Sequence, residues 1–334
     1  MIEKRLLGNN GTNVSAMGIG AMSFSDFYGP TNDKKSYQIL KTAMDLDIDH
    51  IDTANVYGMG ISEERIGKFL KANGASAKDH FKIATKGGIR KDNDGKAFFD
   101  NSYNHLKKEL DNSLIRLGVD TVELYYIHRL EKNRDLEEIV KTLISFLKEG
   151  KIKQFGFSEI APTTLEKISR IHPVAAIQSE YSLSTRYPEL GLVQRTKKLN
   201  TSFVAFSPVG RGLLTDAPIN KDLIPSLQFL KHNPRFTKQN YVANIKACEN
   251  FRTLAKNFNL TAAGLAIAWL HNKGTHILTI PGTRSVDHFI EMANGAKKVL
   301  SPEQMAEIEK TLPVGWAHGD RYTQEQWLGP EKYC

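Results

Sequence analysis

The chain has 334 residues, of which 40% are hydrophobic and 25% charged, a balance typical of a packed globular protein and not of a disordered or fibrous one. Its formal net charge of +8 comes from Lys and Arg interspersed with acidic residues, which favours a solvated surface over a nucleic-acid interface. No segment approaches the roughly 18 consecutive apolar residues of a membrane span, so we expect no membrane partner and a cytoplasmic location. Only Cys248 and Cys334 occur, without a Cys/His cluster, so neither a disulfide framework nor a metal site is expected.

The chain begins with a hairpin signal and continues with eight β-rich runs. In residues 1–15, the β-prone pieces KRLL and TNVS flank the turn sequence NNG. Seven of the eight runs precede an amphipathic, helix-like stretch, as HIDTA precedes SEERIGKFLKA. The runs are MGIGAMSF (17–24), HIDTA (50–54), KIATK (82–86), VELYYIH (122–128), KQFGFS (153–158), AAIQSEY (175–181), TSFVAFSP (201–208) and THILTIPG (275–282).

This alternation predicts parallel strands joined by crossover helices, and eight such units close naturally into a (β/α)8 barrel. We therefore predict a single barrel domain over residues 1–334, with the hairpin across its floor. The seventh run is followed by a long irregular stretch, because residues 210–240 contain prolines at 218, 225 and 234 and too little periodicity for a helix. Long loops in compact domains are usually functional, so we expect this one to cover the active face.

In a barrel of this kind the reactive side chains lie at the C-terminal ends of the strands and in the following loops. That rule selects Asp52, Tyr57, Lys86 and His128. Reducing a carbonyl by hydride requires a proton donor for the oxygen, and Tyr57 is the candidate. A phenol with a pKa near ~10 needs a cation beside it to exchange protons at neutral pH. Lys86 would supply that charge, Asp52 would hold Lys86 by a salt bridge, and His128 would orient the substrate oxygen.

Each of these residues also has a structural explanation. Asp52 could cap a turn, Tyr57 could be a loop aromatic, Lys86 could face solvent and His128 could be a core imidazole. Taken singly, the structural explanation is favoured for the last three. Four such residue types at successive strand ends favour the catalytic interpretation.

From Met17 to Gly295 the sequence resembles the aldo-keto reductase superfamily, with bacterial and plant aldehyde, ketone and pyridoxal-type reductases as the most similar members. The motifs that carry the resemblance are GIGAM (18–22), DTANVYG (52–58), SEERIGKFL (62–70), ATKGG (84–88), YYIHR (125–129), GFSE (156–159), IQSEYSL (177–183), FSPVGRGLL (206–214) and IPGTRS (280–285). The resemblance places Asp52, Tyr57, Lys86 and His128 in the family's catalytic tetrad. It also implies NADPH bound across the barrel mouth, with GIGAM beneath the nicotinamide.

The resemblance assigns further positions to NADPH. Ser158 and Gln178 would hydrogen-bond the carboxamide, Phe206 would stack on the nicotinamide, and the segment Ser207–Gly212 would surround the pyrophosphate with backbone N–H groups. Arg235, Thr283 and Arg284 would lie in segments that reach the adenosine phosphate, where a guanidinium favours NADPH over NADH. The full set of expected cofactor contacts is Ala21, Met22, Asp52, Ser158, Gln178, Phe206, Ser207, Pro208, Val209, Gly210, Gly212, Arg235, Gly282, Thr283, Arg284, His288 and Met292.

Two departures from the family pattern affect the adenine end: His288 stands where Arg or Gln is common and Met292 where Asn usually contacts adenine. The preferred interpretation is an NADPH-dependent reductase of small carbonyl compounds, of the alcohol dehydrogenase (NADP+) type. The alternative is an NADPH-binding regulatory module with the same fold, of the kind associated with channels. Specificity is expected from Phe24 to Tyr28, Tyr57, Arg129, Tyr181 and the 210–240 segment. The substrate, the oligomeric state, and whether the tail after Pro313 covers the mouth or a neighbouring subunit stay open.

Overall fold

The computed structural model describes residues 1–9, 11–92, 95–227 and 229–333. In chain order its strands and α-helices are β1 Lys4–Leu6, β2 Asn13–Ser15, β3 Ile19–Gly20, α1 Asp33–Asp45, β4 His50–Asp52, α2 Ile61–His80, β5 Lys82–Gly87, β6 Ile89–Lys91, β7 Ala97–Phe99, α3 Tyr103–Leu117, β8 Val122–Ile127, α4 Leu136–Lys148, β9 Ile152–Ser158, α5 Pro162–Ser169, β10 Ala176–Glu180, α6 Leu192–Lys198, β11 Ser202–Phe206, α7 Lys238–Ala247, α8 Glu249–Asn257, α9 Ala262–Asn272, β12 Ile277–Thr279, α10 Val286–Ala296 and α11 Pro302–Thr311.

Eight parallel strands form the predicted barrel, in the order β3, β4, β5, β8, β9, β10, β11 and β12. The two ends of this sheet meet, because the Gly18 N–H donates to the carbonyl of Thr279 at 2.7 Å and the Thr279 N–H donates to that of Ala16 at 2.9 Å. The β8 sequence VELYYI is buried at every position, as expected for a parallel strand covered on both faces. The (β/α)8 architecture predicted from the alternating runs is confirmed.

The predicted N-terminal hairpin is the antiparallel pair β1 and β2, which closes the floor of the barrel. Leu7 and Val14 are fully buried against the inward-facing side chains of the barrel strands, and the Gly8 N–H donates to Ser202 Oγ at the start of β11. Asn10, the central residue of the predicted turn, lies outside the described residues, as does Cys334. Cys248 is buried in the core.

Several helices begin where a short polar side chain caps them. Asn32 caps α1, Ser102 caps α3 and Asp135 caps α4, each accepting a hydrogen bond from a backbone N–H of the first turn. The stretch after β11 contains short 3-10 turns, including Lys221–Ser226, and its described residues form no α-helix until Lys238. The lack of helical periodicity in residues 210–240 therefore correctly indicated irregular structure as far as Lys238, where α7 begins. No helix in the described part of the chain is long and apolar enough to cross a membrane.

Candidate active site

The four predicted catalytic residues meet at the C-terminal mouth of the barrel. Asp52 is the last residue of β4, Lys86 is the penultimate residue of β5, and His128 directly follows β8. Tyr57 lies in the turn after β4, where its N–H donates to the carbonyl of Ala54 at 3.1 Å. Because parallel strands all end at the same rim, residues far apart in sequence become neighbours here.

Lys86 is fully buried, and its ammonium group has three hydrogen-bond acceptors. Lys86 Nζ donates to the Asp52 carboxylate, to the carbonyl of Thr53 at 2.8 Å and to Tyr57 Oη at 3.2 Å. Burial is the largest single effect and favours the neutral amine, but the negative charge of Asp52, the nearby Tyr57 and the hydrogen bonds to both together outweigh it, so the pKa of Lys86 is raised. Lys86 is therefore a cation at neutral pH, in direct contact with the phenol oxygen.

Asp52 is held from both sides. One carboxylate oxygen accepts from Lys86, and the other accepts from Gln178 Nε2 at 2.7 Å. Only 2% of the Asp52 surface is exposed. A buried carboxylate needs such partners, because an unpaired one costs several kcal/mol. The Gln178 amide, predicted from the sequence as a cofactor contact, is thus also hydrogen-bonded to one of the four predicted catalytic residues.

Burial raises the pKa of Tyr57 above 10.0, while the adjacent Lys86 cation acts to lower it. Burial is the larger effect in this structure. The sequence predicted a cation beside the phenol, and Lys86 occupies that place, but its lowering effect on the Tyr57 pKa is smaller than the effect of burial. The phenol is protonated at neutral pH, which is the state that a proton donor requires.

His128 completes the group as a neutral imidazole. Burial holds its pKa well below 6.5, and the positive charges of Arg129 and Lys86 lower it further. Its ring meets the edge of the Tyr57 ring at a centroid distance of 5.8 Å, and its Nδ1 has no partner among the described residues. His128 and Tyr57 are therefore neighbours beside Lys86, and the imidazole has a nitrogen that no described residue contacts.

The residues predicted to contact the nicotinamide lie at neighbouring strand ends. Ser158 ends β9 and its hydroxyl accepts a hydrogen bond from Arg129 Nη1 at 3.1 Å. Phe206 ends β11 with its side chain partly exposed, and Ala21 and Met22 open the 3-10 turn after β3. All four therefore surround the same rim as the Asp52 and Lys86 pair.

The segment Ser207–Gly212 forms a compact turn. The Gly210 N–H donates to the carbonyl of Ser207 at 2.9 Å and the Gly212 N–H donates to that of Val209 at 3.1 Å. These two N–H groups are therefore used within the turn, so they are not free in this structure for the pyrophosphate contact that the sequence predicts for this segment. Ser207 itself has a positive φ of 50°, which is uncommon for a residue other than Gly, and it is followed by the buried Pro208.

Arg284 and the start of α10 form the candidate site for the adenosine phosphate. Ser285 caps α10, and Arg284 beside it is partly exposed, with Nη1 donating to the carbonyl of Pro30 at 3.0 Å. Gly282 and His288 are exposed and Thr283 is partly exposed. A guanidinium next to a helix N-terminus suits a phosphate.

Two predicted adenine-end residues are placed differently. The side chain of Arg235 is buried, donating from Nη1 to Thr185 Oγ1 at 2.7 Å and lying 3.7 Å from Glu180 Oε1. Met292 is 3% exposed and packs in the hydrophobic core. Neither side chain is free in this structure to receive a phosphate or an adenine ring, because the carboxylate of Glu180 holds the first and apolar packing holds the second.

A buried cluster of ion pairs, which we call the tail clamp, was not predicted from the sequence. Its members are Glu159 after β9, Glu180 at the end of β10, Arg211 in the turn after β11, and Arg321 in the C-terminal tail. Arg211 Nη2 donates to Glu180 at 2.6 Å, and Arg321 contacts both Glu159 and Glu180. The glutamates at two strand ends were the available signal, whereas Arg321 lies in a segment without periodicity.

The tail clamp places the C-terminal segment against the mouth of its own barrel. Arg211 Nη1 donates to the carbonyl of Arg321 at 2.9 Å, and Trp316 Nε1 donates to that of Leu183 at 2.8 Å. The Arg321 guanidinium also stacks on the rings of Tyr322 and Trp327, each 4.6 Å away. The sequence left open whether the tail after Pro313 covers the barrel mouth or a neighbouring subunit, and in this structure it lies on the barrel mouth.

Four of the aromatic residues expected to shape substrate specificity differ in their exposure. Phe24 is 1% exposed and Tyr181 is fully buried, and both belong to the hydrophobic core, so neither lines an open pocket. Phe27 and Tyr28 are partly exposed and pack with Phe229 of the long loop. The aromatic surface at the mouth is therefore formed by Phe27, Tyr28 and Phe229.

The comparison with known proteins agrees with this arrangement. The model of the aldo/keto reductase family matches residues 16–313. The chain is 34% identical over 325 residues to "Aldo-keto reductase yakc [NADP(+)]" of Schizosaccharomyces pombe, covering 96% of this chain and 94% of the relative. It is 33% identical over 322 residues to "Probable aldo-keto reductase 1" of Glycine max, covering 96% and 92%. The chain belongs to the aldo/keto reductase family.

Solved structures show the same fold. The glycerol dehydrogenase AKR11B4 from Gluconobacter oxydans matches with a TM-score of 0.80 and 26% identity, over 92% of this chain and 94% of that one. The holo form of the aldo-keto reductase AKR11C1 from Bacillus halodurans matches with a TM-score of 0.77 and 25% identity, over 98% and 100%. Membership of this family assigns the chain to the oxidoreductases that act on carbonyl compounds.

Proposed function

We propose that the protein reduces aldehydes or ketones to alcohols with NADPH, as an alcohol dehydrogenase (NADP+) acting in the reductive direction, and that Tyr57 donates the proton. The observation that carries this proposal is the buried contact of Lys86 Nζ with Tyr57 Oη at 3.2 Å, fixed by the Asp52 carboxylate. If the Lys86–Asp52 salt bridge only stabilised the core, it would not need the hydroxyl of Tyr57 as a further hydrogen-bond partner of Lys86. The cytoplasmic location expected from the sequence stays a prediction.

The described residues fit a nicotinamide dinucleotide. The hydroxyl of Ser158 and the amide of Gln178 are polar groups at the strand ends beside the tetrad, and Arg284 supplies a cation at the capped start of α10. The buried Nδ1 of His128, close to these groups, has no hydrogen-bond partner among the described residues. When bound, NADPH supplies the hydride, which no side chain can donate. The relative from Schizosaccharomyces pombe carries NADP(+) in its name, which supports the choice of cofactor.

The tetrad would act on the substrate oxygen. The protonated Tyr57 donates its proton as negative charge develops on the carbonyl oxygen, and the Lys86 cation stabilises the resulting phenolate. Asp52 keeps Lys86 charged and in place. The neutral His128 donates a hydrogen bond to the same oxygen and so fixes the orientation of the carbonyl.

The test is turnover with a panel of simple aldehydes and ketones. Steady loss of NADPH absorbance that depends on the carbonyl compound supports the reductase. Tight NADPH binding without turnover of any panel member, together with a stable membrane partner, would instead support the regulatory module. Steady turnover with NADH in preference to NADPH would contradict the role proposed for Arg284 and leave the tetrad proposal intact.

A further inference from the structure

The segment SEERIGKFL (62–70) carries part of the family resemblance, but neither the tetrad nor the expected cofactor contacts include it. Its second residue, Glu63, lies in the first turn of α2 and is fully buried. The Glu63 carboxylate accepts from Thr85 Oγ1 at 2.5 Å and from Arg116 Nε at 2.6 Å. Glu63 therefore joins α2 to strand β5 and to helix α3.

These contacts lie beside the two residues that meet for proton donation. Thr85 immediately precedes Lys86 in β5, and successive side chains of a strand point to opposite faces. On the helix side, the Ser62 N–H donates to the carbonyl of Tyr57 at 3.2 Å. The Lys86 Nζ to Tyr57 Oη contact completes a closed ring of neighbours. The members of this ring are Tyr57, Ser62, Glu63, Thr85 and Lys86.

The start of α2 depends on contacts from other elements, because its N-cap residue, Gly60, has no side chain. Gly60 has a positive φ of 100°, and a Cβ placed on it would lie 2.8 Å from Arg116 Cδ. The Ser62 hydroxyl donates to the carbonyl of Ala21 at 2.7 Å. Of these groups, Glu63 is the one that contacts both β5 and α3.

Stability alone does not explain a buried carboxylate here, since replacing a buried ion pair with apolar side chains of similar volume is often neutral or stabilising. A buried carboxylate does specify one arrangement, because moving it away from its partners leaves its charge uncompensated. The distance of 3.2 Å between Lys86 Nζ and Tyr57 Oη is at the upper end of the usual hydrogen-bond range. A small displacement of the Tyr57 turn would therefore break this contact.

We propose that Glu63 is a positioning residue, which holds the Tyr57 turn against β5 so that the phenol stays in contact with the Lys86 ammonium group. Within the described ranges Glu63 makes no hydrogen bond to either of these residues, so it acts through Thr85 and Arg116. The inference rests on the proposed reductase function. It adds a determinant of the rate that lies between the strands and the helices, outside the barrel interior.

The first measurement is the single-turnover rate of carbonyl reduction with bound NADPH, expressed per NADPH-binding site so that unfolded molecules do not count. Thr85→Val keeps the shape of the side chain and removes the hydroxyl that Glu63 binds. We expect the rate to fall by about 10- to 100-fold, as for a reacting group displaced by about 1 Å, with unchanged affinity for NADPH. Thr85→Ser restores the hydroxyl and should recover more than half of the wild-type rate. Equal rates in the two variants would overturn the proposal.

Glu63→Met tests the carboxylate, and Glu123 provides a matched control. Glu123 is also buried and accepts from a threonine and a cation, but at the barrel floor: from Thr12 Oγ1 at 2.9 Å and from Lys153 Nζ at 3.0 Å. Glu63→Met should lower the rate at least as much as Thr85→Val, and combining the two should lower it no further than Glu63→Met alone, because the shared contact is already lost. Glu123→Met should leave the rate unchanged. Equal losses in the two Met variants, or a further fall in the double variant, would overturn the proposal.

Amide hydrogen exchange tests the positioning without turnover. Residues 55–63 should exchange about 2- to 10-fold faster in Thr85→Val than in Thr85→Ser, the effect of one lost hydrogen bond, and Glu123→Met should not change their exchange. A wild type that reduces no carbonyl compound would refute the proposed function, and the exchange comparison would then decide the role of Glu63. An active wild type with equal exchange in the two Thr85 variants would refute that role and leave the proposed function standing.

Discussion

Replacing Lys86 with Met tests how strongly the buried ion pair is needed by the fold. The substitution leaves the Asp52 carboxylate, which is 2% exposed, with only the Gln178 amide as a partner. Removing one member of a buried pair typically costs about 3–5 kcal/mol. For 334 residues at about 2.1 cal/mol/K per residue, the unfolding entropy is about 0.7 kcal/mol/K. The expected fall in Tm is therefore about 4–7 °C at pH 7.

Calorimetric unfolding measures this fall, and two further variants interpret it. Lys86→Met/Asp52→Asn removes both charges while an amide still accepts from Gln178, so it should recover more than half of the lost Tm. Lys82→Met, on the same strand, removes an ammonium group whose one hydrogen bond among the described residues goes to the carbonyl of Asp79, so it should change Tm by less than about 1 °C. A double variant no more stable than Lys86→Met alone would refute the reasoning, because the uncompensated carboxylate would then not be the cause.

Three further substitutions follow from the structure. Burial depresses the pKa of His128, so below pH 6.5 the unfolded chain binds a proton that the folded chain does not, and the free energy of unfolding falls as the pH decreases. His128→Gln should reduce the slope of the free energy of unfolding against pH between pH 6 and 5 by about 1.4 kcal/mol per pH unit. An unchanged slope would contradict the depressed pKa of His128. Arg321→Met leaves Glu159 and Glu180 without their shared partner, so we expect faster proteolysis of the tail than in Arg321→Lys. Equal rates of proteolysis in the two variants would argue against the tail clamp. Arg284→Gln should raise the KM for NADPH about 10- to 100-fold with little change for NADH; a parallel rise for both cofactors would exclude a role in phosphate recognition.

The barrel was predictable because its signal is local. Each strand is a short apolar run, and seven of the eight are followed by an amphipathic helix, so the order of elements fixes a parallel closed sheet. Helix α9, Ala262–Asn272, escaped this reasoning because AAGLAIAWLHN is apolar on almost every face and shows no helical period. The β6–β7 hairpin was missed because its strands have only three residues each.

The tetrad was predictable for a related reason: residues at successive strand ends must meet at one rim. The tail clamp was not, because Arg321 lies 162 positions from Glu159 and 141 from Glu180. No spacing rule connects a strand end to an irregular tail. The same limit explains Arg235, whose residue type suits a phosphate but whose side chain is held by Thr185 and Glu180 in the folded chain. Sequence reasoning identified the residue types and could not choose their partners.

The most direct measurement of the central claim compares Tyr57→Phe with the wild type, using the best aldehyde of the panel. The substitution removes one hydroxyl and keeps the ring against His128, so NADPH affinity, followed by fluorescence quenching, should change by less than about threefold. Turnover should fall by about 10²–10⁴, the usual contribution of a general acid. Turnover within a few fold of the wild type, with NADPH still bound, would contradict the role of Tyr57 as the proton donor.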